Sequence, residues 1–212
     1  MTESGLRQRK KEQTRQAIAE TARRLFEERG FEGVTVAEVA REANVSEGTV
    51  FNYFPTKEDL FYSPMEAFES ELVDAVRDRP AGESALAAFR RFVLDRSSRL
   101  AAEDVADVIT NAARVITASP ALQAREREIV AQYTESLAAL LAEETGVGRG
   151  DVEARAVATA LMGVQRALVA RVREEVLAGR RGRRLAADVT AQAERAFARL
   201  EQGLGDYAVK SG

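Results

Sequence analysis

The residues with the clearest chemical use lie in the stretch EGTVFN, from Glu47 to Asn52. Drawn as a helix with about 100° per residue that runs on to about Phe54, this segment places Val50 and Phe54 on an inward stripe and leaves Gly48 and Asn52 roughly opposite. An amide such as that of Asn52 forms two hydrogen bonds with adenine in the major groove, and Gly48 lets the backbone approach the groove closely. The pattern predicts a helix that reads base edges in DNA. The alternative is a compact helical corner with a tolerated glycine.

A second short helical pattern precedes this one and is expected to position it. Thr35 and Glu38 form a Ser/Thr-x-x-Glu capping box, and apolar residues then recur at helical spacing. Asn44 tolerates turn geometry, and Ser46 is a favourable N-cap for the next helix, which ends before Pro55. Two helices joined by such a turn predict a DNA-binding helix-turn-helix.

The stretch upstream supplies a first helix. An amphipathic pattern runs from Thr14 to a C-terminal cap at Gly30. Residues before Thr14 show no apolar periodicity, and we expect a mobile basic arm there. The arm either contacts phosphates or is a solvated tail. Its cations are Arg7, Arg9, Lys10 and Lys11.

Taken together, these residues resemble the N-terminal domain of tetracycline-repressor-type (TetR) regulators. The resemblance covers about the first quarter of the chain and involves many positions, so it is specific for the class. It does not identify a target. The positions that carry it are Phe26, Gly30, Phe31, Thr35, Val36, Ala37, Ala40, Val45, Ser46, Gly48, Thr49, Val50, Phe51, Tyr53, Phe54, Lys57, Glu58 and Leu60.

The resemblance implies DNA contacts for nine residues. One departs from the family pattern, because Phe51 stands where tyrosine is usual and has no hydroxyl to donate to a phosphate. Only ring packing remains available at that position. The residues implied at base edges are Glu47, Gly48, Thr49 and Asn52, and those implied at phosphates or along the DNA backbone are Thr35, Val36, Phe51, Tyr53 and Lys57.

Composition narrows the possible functions. The chain has 212 residues, of which 45% are hydrophobic, enough for one small and one larger domain. It has neither a long apolar run nor the apolar core of a signal peptide, so we expect a cytoplasmic protein without a membrane partner. Cys and His are absent, which removes disulfides, imidazole bases and common metal ligands. We therefore expect no catalytic residues, no metal and no cofactor. A net charge of −3 is compatible with DNA binding because local patches attract phosphates.

The rest of the chain predicts helices throughout. From Glu83 onward no segment alternates apolar and polar residues as a strand would, and we expect an all-α fold with about nine helices in total. We expect a three-helix helix-turn-helix domain over residues 1–56 and a larger helical ligand-binding and dimerisation domain over residues 57–212. The later helices are predicted at roughly 83–101, 104–118, 120–145, 151–178 and 185–204.

Pro64 interrupts the helix predicted to begin at Lys57. It removes an amide donor and clashes with the preceding turn, so the helix should kink or restart there. We expect this helix to be the only covalent link between the two domains. Pro64 is then either a hinge or simply a late helix start.

Polar groups among apolar residues indicate a ligand pocket in the second domain. Each candidate is also compatible with an ordinary core or surface position. The predicted lining is Phe89, Phe92, Ile109, Asn111, Tyr133, Met162 and Gln165.

The last two helices carry long apolar stripes. A terminal helix pair is well placed to meet its symmetry mate in a four-helix bundle, although packing within one chain could absorb the stripes. The arginines at 180, 181, 183 and 184 are interpreted as a solvated loop. The predicted dimer interface is Leu161, Leu168, Val189, Ala193, Phe197 and Leu200.

The leading interpretation is a homodimeric transcriptional regulator. The resemblance implies a repressor that a small apolar or amphipathic ligand releases from a palindromic operator. A second possibility is a constitutive DNA-binding factor whose closed C-terminal core recruits a protein partner and binds no small ligand. A helical-bundle enzyme is the least favoured interpretation, because Cys and His chemistry is missing.

Overall fold

The computed structural model describes residues 3–210, except for the side chains of residues 3–6, 66, 103 and 104. Within this part of the chain every regular element is helical, which confirms the all-α prediction. Nine helices result if α4 and α5 are counted as one helix interrupted at Pro64. The helices are α1 (Glu3–Arg29), α2 (Val36–Glu42), α3 (Glu47–Tyr53), α4 (Lys57–Tyr62), α5 (Glu66–Arg77), α6 (Ala85–Ser98), α7 (Glu103–Ala118), α8 (Pro120–Glu144), α9 (Val152–Leu177) and α10 (Gly182–Leu204), with short 3-10 turns at Ser63–Met65 and Arg99–Ala101.

The chain packs as two compact units. The first, here called the head, comprises Met1–Glu66 and Arg114–Arg125. The second, here called the body, comprises Ala67–Ala113 and Glu126–Gly212. The boundary expected near residue 56 separates a DNA-binding domain from a ligand-binding and dimerisation domain, and it stays a prediction. Among the described helices, none combines the length and apolar character needed to cross a membrane.

The chain passes between head and body three times: before Ala67, within α7 and within α8. The expectation that the helix after Lys57 is the only covalent link is therefore wrong. Helical periodicity gives the length of α7 and α8 but does not show that the two ends of each helix pack in different units.

The head is built around the inner face of α1. Ile18, Ala22 and Leu25 have no exposed surface, and Phe26 is 1% exposed. The amide of Gly30 donates to the carbonyl of Phe26 at 2.9 Å, with a φ of 75° that favours glycine. This confirms the predicted end of the first helix.

The start of α1 differs from the prediction. The helix begins at Glu3 rather than Thr14, so the segment expected to be a mobile arm is helical where the structure describes it. Residues 7–13 are exposed and make no core, which explains their lack of apolar periodicity. Arg, Lys, Gln and Glu are favourable helix formers, and a helix already nucleated by packing gains one backbone hydrogen bond for each residue added.

The corner between α7 and α8 belongs to the head. The buried hydroxyl of Tyr62 donates to the carbonyl of Leu122 at 3.0 Å, and the hydroxyl of Ser119 donates to the Glu32 carboxylate at 2.6 Å. These bonds fix the corner against α4 and against the turn after α1. The break at Pro64 is also confirmed, because a 3-10 turn separates α4 from α5 there.

The core of the body combines α6, α8, α9 and α10. Phe89 and Phe197 have no exposed surface, and their rings meet edge to face with centroids 6.0 Å apart. Leu137, Leu141 and Leu161 are also fully buried in this core. Such close packing orders the body around α10.

A buried arginine ties the C-terminal segment to the body. Arg79 is 2% exposed, and its guanidinium donates to both carboxylate oxygens of Glu144 and to the carbonyl of Ala208. A buried charge is tolerated when it is paired and fully hydrogen-bonded, as it is here.

In the arginine-rich loop before α10, Arg180 pairs with Glu175 and Arg181 with Asp107. Arg183 and Arg184, expected in the same loop, instead lie in the first turn of α10, where both are exposed.

Candidate nucleic-acid interface

The N-terminus of α2 is fixed by a complete capping box. The amide of Glu38 donates to the Thr35 hydroxyl oxygen at 3.2 Å, and the amide of Thr35 donates to the Glu38 carboxylate at 2.8 Å. The hydrogen bond from the Thr35 amide lowers the pKa of Glu38. The exposed Thr35 hydroxyl also donates to this carboxylate at 2.9 Å, so a DNA phosphate would compete with Glu38 for it.

The turn between α2 and α3 has the geometry that its residues favour. Asn44 adopts a left-handed φ of 54°, which asparagine tolerates better than most residues. The amide of Val45 donates to the carbonyl of Ala40 at 2.9 Å and closes the turn. Ser46 then caps α3 by accepting from the amide of Thr49 at 3.1 Å. The predicted helix-turn-helix is confirmed.

The outward face of α3 contains most of the residues implied at base edges. Glu47, Gly48 and Asn52 are exposed, whereas Val50 is completely buried beneath them. Thr49 is half-buried, and its hydroxyl lies 2.8 Å from that of Ser46. The face is therefore small, polar and accessible to a major groove.

Gly48 is not required by the protein's own packing. A Cβ added there would meet only the Ser46 hydroxyl oxygen, at 3.9 Å. Glycine disfavours a helix interior by about 1 kcal/mol relative to alanine. A glycine that the fold does not need is consistent with close approach of another molecule to the α3 backbone.

The residues implied along the DNA backbone occupy different environments. Phe51 is 47% exposed although it is a large apolar side chain. Val36 and Tyr53 are half-buried. The ammonium group of Lys57 donates to the carbonyl of Phe31 at 2.6 Å and lies 4.1 Å from the centre of that ring. Lys57 therefore also stabilises the head.

The electrostatics of the helix-turn-helix are unfavourable for phosphate binding. Residues 30–60 contain two cations, Arg41 and Lys57, and six carboxylates. Partial burial lowers the pKa of Lys57. Most of the cations expected of a DNA-binding surface must therefore come from elsewhere in the chain.

The predicted ligand-pocket residues are divided between core and partly accessible positions. Phe89, Tyr133 and Met162 are buried, whereas Phe92, Ile109, Asn111 and Gln165 are half-buried. Their role as the lining of a ligand pocket stays a prediction.

Sequence reasoning missed a cation that lies over two of the aromatic rings. The Arg96 guanidinium is 4.9 Å from the centre of the Phe68 ring and 5.6 Å from that of Phe92. Phe68 also packs against Tyr133, with centroids 5.5 Å apart. An open groove of about 460 Å³ runs beside Phe92 and Arg96, with several carboxylates in its lining. Arg96 follows Phe92 by four residues, about one helical turn, and this spacing could have indicated the contact from the sequence.

The predicted dimer residues lie mostly inside the protomer. Leu161, Val189, Ala193 and Phe197 are at most 1% exposed, Leu168 is 7% exposed, and Leu200 packs partly buried against the same core. Each of these side chains is enclosed largely by its own chain, and its part in a dimer interface stays a prediction. The apolar stripes are absorbed by packing within one chain, the alternative that the sequence left open.

The fold and the site define a class. A capped two-helix corner with an accessible α3 face, joined to an all-helical second unit, is the architecture of a helix-turn-helix DNA-binding regulator. The chain belongs to the tetR family of bacterial regulatory proteins: residues 18–63 match the family described by that name, and residues 83–205 match the MftR C-terminal domain.

Individual relatives agree with this assignment. The transcriptional regulator TcmR of Streptomyces glaucescens is 32% identical over 151 residues, covering 69% of this chain and 67% of TcmR. Two regulators of Bacillus subtilis match over shorter stretches, which make up 26% and 33% of their own lengths.

Solved structures share the fold. NalD, the secondary repressor of the MexAB-OprM multidrug efflux pump in Pseudomonas aeruginosa, superposes with a TM-score of 0.56 at 20% identity, covering 88% of this chain and 95% of NalD. The transcriptional regulator FadR of Bacillus subtilis, solved in complex with stearoyl-CoA, gives a TM-score of 0.52 at 20% identity, covering 86% and 97% of the two chains.

Proposed function

We propose that this regulator is a homodimeric repressor that binds an inverted-repeat operator and is released by a small apolar or amphipathic ligand. The observation that carries the DNA-binding step is the exposed face of α3, where Gly48 and Asn52 stand above a fully buried Val50. In this proposal Asn52 bonds a base edge, and Gly48 allows the helix backbone to enter the groove.

The ligand step is supported by the paths of α7 and α8. Each helix has one end in the body and the other in the head. A ligand shifts an equilibrium only if it binds two arrangements with different affinity, so it must favour one position of these helices. Movement of their shared corner would be felt at Tyr62 and Glu32, which are hydrogen-bonded to it.

Amphipathic acyl compounds are the first ligands to test, because the neighbour FadR binds stearoyl-CoA. The experiment measures thermal stability and operator affinity in parallel, with free fatty acids and acyl-CoAs of several chain lengths. We expect one chain length to raise the stability by about 2.7 kcal/mol at a hundredfold excess over its Kd. The same compound should weaken operator binding by about 5 to 150-fold.

The burial of Phe89, Tyr133 and Met162 supports the second possibility, a constitutive DNA-binding factor with a closed core. Operator binding without any ligand-induced change in stability or affinity would favour that function.

The dimer is proposed to form through an outward stripe of α9. Ala156, Gly163, Ala167 and Ala170 are exposed and lie within about 60° of one another around the helix. A Cβ added at Gly163 would meet no atom within 4 Å. Small residues allow helices of two protomers to approach closely, and α9 and α10 with their symmetry mates would form a four-helix bundle.

A further inference from the structure

A cluster of positive charge in the head lies outside the helix-turn-helix, near the start of α1. Residues 30–60 contain six carboxylates and two cations, whereas residues 7–15 contain five cations and one carboxylate. Binding to duplex DNA is driven largely by cations that displace counterions from phosphates. Residues 30–60 supply only two such cations, so a surface made by residues 7–15 is the natural complement.

The structure arranges part of this charge in a row on one face of α1. Arg7 and Lys11 project within about 20° of the buried Ile18, and Arg15 lies within about 60° of it. These three residues, here called the basic stripe, continue the face of α1 that packs on the head. Arg9 points about 180° away from Ile18.

Nothing inside the described protein neutralises the outer part of the stripe. Arg7 and Lys11 are exposed, and no ion pair joins either of them to a side chain that the structure describes. Further along the same helix Arg23 pairs with Glu27, and its neighbour Arg24 pairs with another glutamate. Like charges four residues apart disfavour a helix by a few tenths of a kcal/mol, so the row is not explained by helix stability.

The stripe begins beside the recognition helix. The Arg15 guanidinium lies 4.9 Å from the centre of the Phe54 ring, and Phe54 directly follows α3. Lys11 and Arg7 then lie about 6 and 12 Å further along α1. The major groove is about 12 Å wide, so a helix inside it has phosphates on either side at distances that this row can span.

We propose that the basic stripe is a second DNA contact, which binds the phosphate backbone bordering the major groove occupied by α3. The inference rests on the proposed DNA-binding function and adds to it a sequence-independent contact outside the helix-turn-helix. Arg7 and Lys11 supply affinity, and α3 retains the base readout.

The test compares two arginines on opposite sides of one exposed helix. Arg7→Gln and Arg9→Gln change the net charge equally and keep a favourable helix former. Affinity of the full chain for its selected operator is measured against salt concentration. We expect Arg7→Gln to reduce the slope of log K against log salt by about 0.9 and the double variant Arg7→Gln with Lys11→Gln by about 1.8. Arg9→Gln should leave the slope unchanged.

The effect of a variant on base preference distinguishes the basic stripe from α3. The double variant should keep the preference of the wild type, since phosphate contacts carry no direct sequence information. Equal slopes for wild type and double variant, or equal losses for Arg7→Gln and Arg9→Gln, would overturn the proposal. Failure of the wild-type chain to bind any operator would instead overturn the proposed function. Far-UV circular dichroism is the control for an unchanged helix content in each variant.

Discussion

At the scale of single residues, α3 separates two kinds of contact. Asn52 is exposed on its outward face, whereas Lys57 beyond it bonds the carbonyl of Phe31. Base contacts specify a sequence, and phosphate contacts position the protein. The two side chains should therefore give distinguishable losses.

Asn52→Ala is expected to relax base preference at one position of each half-site by about 1 to 3 kcal/mol, because a bidentate contact to a base is lost. The salt dependence should be unchanged. Competition binding with operators mutated at single positions measures the effect. An unaltered preference at every position would remove Asn52 from the readout.

Lys57→Ala is expected to weaken binding to all DNA sequences about equally and to reduce the salt slope by about one unit. Its bond to Phe31 adds a second expectation, which is a lower melting temperature of the head. Salt titrations and thermal unfolding of the same preparation test both. A less stable protein with unchanged slope and affinity would assign Lys57 to the fold alone.

Local chemistry at this scale was predictable from sequence. The Thr35 and Ser46 caps and the turn at Asn44 depend on neighbours within a few residues, and the structure contains all three. The inward position of Lys57 was not predictable, because its partner Phe31 lies 26 residues away.

At the scale of helices, the structure changes two expectations: where α1 begins and which helices connect the head to the body. α1 extends to Glu3, and α7 and α8 join α4–α5 as paths into the body. The bounds predicted for the later helices agree with those of α6 to α10 within about three residues. The assignment of these helices to head or body could not be predicted from the sequence, because it depends on contacts between segments distant in sequence.

Pro64→Ala tests whether the break between α4 and α5 contributes to signalling. Restoring an amide donor should favour a continuous helix, keep DNA binding and dimerisation, and alter the coupling between ligand and operator. Such coupling amounts typically to 1 to 3 kcal/mol, or about 5 to 150-fold in affinity. Operator affinity is measured with and without ligand for both proteins. Equal ligand-induced release would rule out a hinge at Pro64 and leave α7 and α8 as the paths.

At the scale of the whole molecule, core residues and dimer residues must be distinguished. The sequence showed apolar stripes on the last two helices but not which surface covers them. Packing within one chain buries Phe197 completely and leaves Gly163 exposed. In the proposed dimer, the surface that meets the partner lies on the small exposed residues of α9, which include Gly163.

Gly163→Arg is expected to dissociate the dimer without unfolding the protomer, because an added side chain meets open space within one chain. Phe197→Glu is the matched contrast. A carboxylate in the body core, unpaired, costs several kcal/mol and should unfold the protein. Light scattering and thermal unfolding distinguish these outcomes. An intact dimer of Gly163→Arg would place the interface elsewhere.

The most direct test of the account is selection of bound sequences from random duplex DNA, followed by mass measurement of the complex. Two protomers related by a twofold axis predict an inverted repeat with half-sites one helical turn, about 10 to 10.5 base pairs, or a multiple of it apart. The complex should contain protomers in pairs. An enriched single half-site bound by one protomer, or no enriched sequence at all, would contradict a dimeric operator-binding regulator.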